Sequence, residues 1–206
     1  MAFLFKGDQS KSKWQVGHAA VSSDDPKMLS VTPTDTDGVM VNLSSKKNKS
    51  IDCYTKAKFG DCRIELEVMV PKGSNSGIYV MGEYEIQVYD SYGVENVKGS
   101  DMGGIYGASP PAVNASKAPG EWQKFVIDFK APRFDTHGDH GHKTANATFV
   151  KVTLNGKVIH ENVEMEGPTP AGVTGKEAAT GPLMFQGDHG SVAYRNIRIT
   201  DLAGKL

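Results

Sequence analysis

The sequence predicts an all-β protein, a two-sheet antiparallel sandwich of jelly-roll type, on three observations. Strand-length runs of alternating apolar and polar residues recur along the chain. No segment carries the 3.6-residue apolar period of an amphipathic helix. Glycine and proline, 23 and 10 of 206 residues, exceed their roughly 12% average share, as many turns require. A single domain over 1–206 is expected, because no linker or fixed-period repeat divides the chain.

The clearest strand is Cys62–Val70, which alternates strictly and stops at Pro71. Cys62, Ile64, Leu66, Val68 and Val70 share one face; Arg63, Glu65, Glu67 and Met69 share the other. Gly73–Gly77 reads as a turn or loop that leads into the apolar run Ile78–Met81. Tyr84–Tyr89 alternates again, with Ile86 and Val88 inward and Glu85, Gln87 and Tyr89 outward. Trp122–Phe129 puts Phe125, Ile127 and Phe129 on one face, and Trp122 is itself expected in the core. Phe149–Leu154 and Val158–Ile159 flank Asn155-Gly156, the dipeptide of a type I′ hairpin. The last strand, Val192–Ile199, is expected to carry Ala193, Arg195, Ile197 and Ile199 on one side. Stretches 91–121, 131–146 and 161–181 are irregular and too long for hairpin turns, a length at which loops are functional or disordered. In a jelly roll one sheet face covers the core and the other is free for ligand, so the polar faces are where a site is expected.

Charge and motifs narrow the function. Lys+Arg 23 against Asp+Glu 24 gives a net charge of −1, so no basic field awaits nucleic acid or anionic lipid. No apolar run approaches the roughly 20 residues that span a bilayer. No glycine-rich dinucleotide or phosphate loop opens a helix, and there is no Gly-x-Ser-x-Gly elbow. Cys53 and Cys62 are nine residues apart and could meet across a hairpin. Cys62 keeps phase with Ile64 and Leu66, which favours a buried free thiol.

Three clusters could carry chemistry. Glu65 and Glu67 project from one strand face, and Glu85, Gln87 and Tyr89 from another. Side chains two apart on a strand sit about 6.5–7 Å apart, a spacing suited to one sugar ring, and paired carboxylates are the groups that cleave glycosidic bonds. The plain alternative is a solvated strand face. Asp188-His189 lies between Gly187 and Gly190, where backbone can approach a ligand and imidazole can move a proton; a structural turn is the alternative. His137-Gly138-Asp139-His140-Gly141-His142 suggests metal, but a flexible loop lacks rigid ligand spacing, so no metal ligands are assigned. Tyr79, Tyr89 and Tyr106 are candidates for stacking on sugar.

Taken in order, the motifs resemble the 3-keto-disaccharide hydrolase domain family, relatives in fold of the concanavalin A-like lectins and glucanases. The resemblance rests on Phe5-Lys6-Gly7 with Trp14, Phe59-Gly60-Asp61, Ser74-Asn75-Ser76-Gly77-Ile78-Tyr79 and Tyr84-Glu85-Ile86-Gln87-Val88-Tyr89-Asp90. It continues through Gly104-Ile105-Tyr106-Gly107, Asn114, Pro119-Gly120-Glu121-Trp122, Gln186 and Asp188-His189-Gly190 to Tyr194-Arg195-Asn196-Ile197. Cys62 departs from the large apolar residue more usual in the family. The resemblance implies a periplasmic or secreted setting, although Met1–Gly7 lacks the basic-then-apolar layout of a signal peptide.

In related glucanases alternate positions of one strand supply nucleophile and acid. Here the second of those positions is Gln87, which can do neither, and Asp90 has the opposite parity. The resemblance implies another route: a ketone at C3 acidifies the C2 proton, a base removes it, the C1 leaving group departs with acid help, and water adds back. That assigns Glu85 or Glu67 as base and His189, oriented by Asp188, as acid. Gln87, Asn75, Tyr106, Asn114, Gln186 and Arg195 would bind sugar, with Arg195 or a divalent cation polarising the ketone; no other cofactor is implied. The partner is a small carbohydrate, not nucleic acid or membrane, and a sugar 3-oxidoreductase would supply the ketone. A non-catalytic carbohydrate-binding module and a conventional glucanase-like glycosidase are the competing readings.

Overall fold

The structure, a computed structural model, describes residues 2–34, 38–135 and 141–205. In chain order its strands are β1 (Phe3–Phe5), β2 (Trp14–Val21), β3 (Leu29–Pro33), β4 (Val39–Leu43), β5 (Cys53–Thr55), β6 (Cys62–Met69), β7 (Asn75–Val80) and β8 (Tyr84–Tyr89). They continue with β9 (Gln123–Lys130), β10 (Arg133–Phe134), β11 (Lys143–Ala145), β12 (Ala147–Leu154), β13 (Lys157–Met165), β14 (Met184–Phe185) and β15 (Ser191–Asp201). An eight-stranded sheet in the order β13-β12-β9-β6-β15-β4-β2-β3 packs on a five-stranded sheet in the order β1-β5-β14-β7-β8. All pairings are antiparallel. This is the all-β jelly-roll sandwich that the alternation predicts.

The core lies between the sheets. Ile64, Leu66 and Val68 meet Phe125, Ile127 and Phe129 across β6 and β9, opposite Ile78, Ile86 and Val88 of the smaller sheet. Their alternate neighbours therefore face outward, and the two outward faces lie on opposite sides of the molecule. Cys53 and Cys62 are buried free thiols, and burial pushes Cys62 up to about 12.

Two local expectations need correction. Arg195 and Ile197 do not share a side: β15 slips register between Arg195 and Arg198, with Asn196 left-handed at φ 54°. The extra residue flips the parity. Ile197 and Ile199 consequently pack on the core, while Arg195 faces out beside Glu67. Trp122 is not a core residue of the sandwich. It packs half-buried against a small second cluster around Val41, Met69 and Ala193 on the outer face of the eight-stranded sheet. The irregular stretches also hold more structure than their composition suggests. A short ribbon of β10 and β11 falls within 131–146, and β13 runs on to Met165.

Asp61 anchors the entry to that ribbon. Its carboxylate accepts the Ala131 amide at 2.8 Å and a two-pronged Arg133 guanidinium at 2.9 and 2.6 Å. Burial works to raise this carboxyl, but the Arg133 and Ala131 hydrogen bonds outweigh it and hold it below its ordinary value. Stability from such a group is present above the unfolded carboxyl value near 3.9 and is lost as pH falls through the lower native value. Asp61→Asn is expected to cost about 1–2 kcal/mol at neutral pH, discounted because Arg133 is partly solvated. Urea denaturation at pH 7 and pH 3 checks it: the deficit should shrink at the lower pH.

Candidate active site

The outward face of the five-stranded sheet is laid out in rungs by its register. Leu4, Tyr54, Met184, Tyr79 and Glu85 are neighbours across β1, β5, β14, β7 and β8. The next rung reads Lys6, Asp52, Gln186, Gly77 and Gln87, and Asn75 pairs with Tyr89 beyond it. Ordinarily such a face would be wet. Here two loops cover it, so Glu85 and Gln87 are each only 5% exposed.

The first loop runs along the free edge of β8. Gln87 donates its amide to Gly104 O, and Gly103 and Tyr106 return theirs to Gln87 O and Glu85 O. That brings the Tyr106 ring to the rim. The second, 169–175, crosses the sheet as a strap. The buried Glu83 carboxylate holds it by accepting the amides of Thr174 and Gly175 at 2.8 and 2.9 Å. The Tyr79 hydroxyl donates to Pro170 O at 3.2 Å. Between the loops lies a groove of about 220 Å³ lined by Asn75, Tyr79, Glu85, Gln87, Tyr106, Pro170, Ala171, Gln186 and His189.

Glycine makes the groove floor. A Cβ on Gly77 would sit 2.4 Å from Glu85 Oε1, so the carboxyl lies across space that any side chain would occupy. Burial pushes Glu85 up to about 7, and the negative charges of Asp52 and Asp188 add to this. The Tyr79 hydrogen bond and His189 pull the other way. His189 stands at the mouth, half exposed, its Nδ1 2.5 Å from Asp188 Oδ1. That contact engages Nδ1, so proton transfer to or from a ligand falls to Nε2. Gln87 Nε2 donates to Asn75 Oδ1 at 2.7 Å, fixing both amides for hydrogen bonding.

The groove thus brings together Glu85, His189, Gln87, Asn75, Tyr106 and Gln186, with Asp188 behind His189. It does not include Glu67, Arg195 or Asn114. Glu67 and Arg195 lie on the opposite outer face, paired at 2.5 Å, with Asn196 Nδ2 3.1 Å from the same oxygen. The Arg195 guanidinium also stacks 4.0 Å from the Trp122 ring. Glu67 is therefore not a candidate base for this groove, nor Arg195 a polariser of a ketone in it. Alternation defines a face within one strand, but β6 and β8 belong to different sheets. Asn114 staples the 91–116 loop: its Nδ2 donates to Ser91 O and Val94 O, and its Oδ1 accepts the Ser116 amide. Asp90 accepts the Gly73 amide and also stays out of the groove.

Two of the larger hollows are lined differently. One of about 350 Å³ beyond the strap is lined by Glu83 and Glu177, but Glu83 holds the strap and Glu177 is bonded by Tyr84 and Lys143. The other, about 410 Å³, sits beside Trp122 and Arg195. Among the described residues no three His, Cys, Asp or Glu side chains converge as a metal site. The tract His137-Gly138-Asp139-His140 lies outside the described residues, and the His142 amide donates to Asp135. Glu67→Gln is expected to leave turnover within about twofold of the parent, since it touches nothing in the groove. Steady-state rates on the same substrate check this, and a large loss would return Glu67 to the site.

Sequence reading missed Asp52 and Lys6, which share the second rung. Each lies just outside a three-residue strand, where no alternation marks it, and the Phe5-Lys6-Gly7 motif assigns Lys6 no role.

A family model described as 3-keto-alpha-glucoside-1,2-lyase-like domain matches residues 3–200. A solved structure from Parabacteroides distasonis, described as a proposed glycosyl hydrolase, is 31% identical with a TM-score of 0.67. That alignment covers 98% of this chain and 83% of that one. A second structure from that organism, under the same description, shares the fold at 21% identity and TM-score 0.57, over 93% of this chain and 100% of its own. A comparison with curated proteins finds none that matches.

Proposed function

The chain belongs to the 3-keto-alpha-glucoside-1,2-lyase-like domain family, and from that premise we propose that it cleaves 3-keto-glycosides by elimination across C1 and C2. The observation that carries the reading is Glu85: a buried carboxyl with a value near 7, matched to general-base work at neutral pH. Glu85 takes the C2 proton, and the electrons form the C1–C2 double bond as the C1–O bond breaks. His189 Nε2, with Asp188 behind its other nitrogen, donates a proton to the departing oxygen. Water then adds its oxygen to C1, and C2 regains a proton. The donor N–H groups of Asn75 and Gln87 hold the ketone side of the ring. No step needs a carboxylate nucleophile, which agrees with Gln87 at the position where a glucanase would carry its partner. No step is routed through a metal ion.

A groove of about 220 Å³ is smaller than the roughly 300–1,000 Å³ of pockets that engulf larger ligands. It therefore takes one ring, with the leaving sugar outside. The substrate requires an enzyme class that oxidises the C3 hydroxyl, so a sugar 3-oxidoreductase acts upstream.

The test is incubation of the protein with 3-keto-trehalose and with trehalose in D2O, sampled before the free product exchanges by itself. Release from the keto sugar alone, with deuterium at C2, supports elimination. Cleavage with protium retained at C2 would mean direct displacement, and binding without cleavage would mean a carbohydrate-binding module.

A further inference from the structure

The two walls of the groove come from segments far apart in sequence, the strap at 169–175 and the turn at 187–190. One ion pair links them. Lys6 follows β1 and donates from Nζ to Ala171 O at 2.6 Å, which ties it to the strap. The same Nζ lies 3.7 Å from Asp52 Oδ2. The other oxygen, Asp52 Oδ1, accepts the Gly187 amide at 2.9 Å, one residue before Asp188. Asp52 is largely buried and Lys6 about one-third exposed. The connection thus runs from Ala171 through Lys6 and Asp52 to Gly187, across the sheet face that bears Glu85.

We propose that Lys6 and Asp52 form a positioning pair that sets the spacing of strap and turn, and thereby places His189 over Glu85. This rests on the reading of Glu85 and His189 as base and acid. Ala171 is held left-handed at φ 66°, a conformation that needs its surroundings to hold it. Gly187 has no room for a side chain, since a Cβ would meet Ile51 O at 2.0 Å. Both attachment points are therefore backbone groups whose placement shifts with any change in the link. The pair also sets charge. Tyr79 from β7, Asp52 beside β5, and Asp188 and His189 from the turn all act on Glu85. Removing the Asp52 charge removes one influence that raises it.

The experiment compares Lys6→Met, Lys6→Arg, Asp52→Asn and Asp52→Ala by kinetics on 3-keto-trehalose and by amide hydrogen exchange. Lys6→Met should lower kcat/KM about tenfold or more, by misplacing rather than removing the reacting groups, and speed exchange in 169–175. Lys6→Arg should recover most of both. Asp52→Ala should speed Gly187 exchange about tenfold through loss of one hydrogen bond. Asp52→Asn keeps an acceptor for that amide, so Gly187 protection should persist while the acid limb of kcat/KM moves below pH 7. Lys6→Met with parental exchange and kcat/KM would overturn the pair, as would an acid limb unmoved in Asp52→Asn. If the parent protein shows no turnover at all, the base–acid reading fails, while the exchange measurements still decide whether the pair sets the walls.

Discussion

Glu85→Gln is expected to lower kcat on a 3-keto-disaccharide by about 10²–10⁴-fold, the range for loss of a general base. Glutamine has the same shape as the carboxyl side chain it replaces, so substrate affinity should change little. In the parent, kcat/KM should rise with pH through about 7, because the base works only when ionised and burial raises it there. Stability should move in the opposite sense. The folded state holds the Glu85 proton up to about pH 7, whereas the unfolded chain releases it near 4.3. Folding is therefore disfavoured progressively between those values as pH rises. Glu85→Gln removes that penalty, so the variant should melt higher than the parent at pH 8 and lose that advantage by pH 4. Activity lost together with stability at pH 8 would make Glu85 a structural residue.

Gly77→Ala should reduce kcat/KM by about 10²-fold, the scale of a misplacement of about 1 Å, without unfolding the protein. The added methyl would lie 2.4 Å from Glu85 Oε1 and 3.0 Å from Tyr79 Cε2. β7 is held between β14 and β8, so its backbone cannot back away. The end of the Glu85 side chain moves instead, off the line to the C2 proton. Alanine is otherwise favourable in a strand interior, by roughly 0.5–1 kcal/mol over glycine, so the melting temperature should hold or fall slightly. Parental kcat/KM with an unchanged melt would show that Glu85 needs no space over Gly77.

Glu85, Gln87 and His189 were visible in the linear pattern for different reasons. Glu85 and Gln87 stand out because Ile86 and Val88 between them point inward, a local property of one strand. His189 stands out because glycines flank an acid and a base. Glu67 shows the same alternation as Glu85, and nothing in its neighbourhood says that β6 belongs to the other sheet. Arg195 shows a related limit, since one left-handed residue, Asn196, moves every later side chain to the opposite face. Lys6, Asp52 and Glu83 lie just outside the regular strands, so no alternation marks them. Their roles come from backbone groups at Ala171, Gly187, Thr174 and Gly175, more than 90 residues away in each case.

The turn-rich composition and the two-residue period were enough for an all-β sandwich, its inward residues and the outward parity of each regular strand. Those follow from the geometry of a single extended chain, in which successive side chains must alternate. Which outward faces coincide was decided by strand order. β14 inserts between β5 and β7, bringing Gln186 and the His189 turn beside Asp52 and Gly77, and no local period encodes that pairing. The loops then turn an exposed face into a buried one, which raises Glu85 to a value suited to its proposed work. Burial of a charge depends on everything that surrounds it, so its chemistry emerges only when the chain is closed.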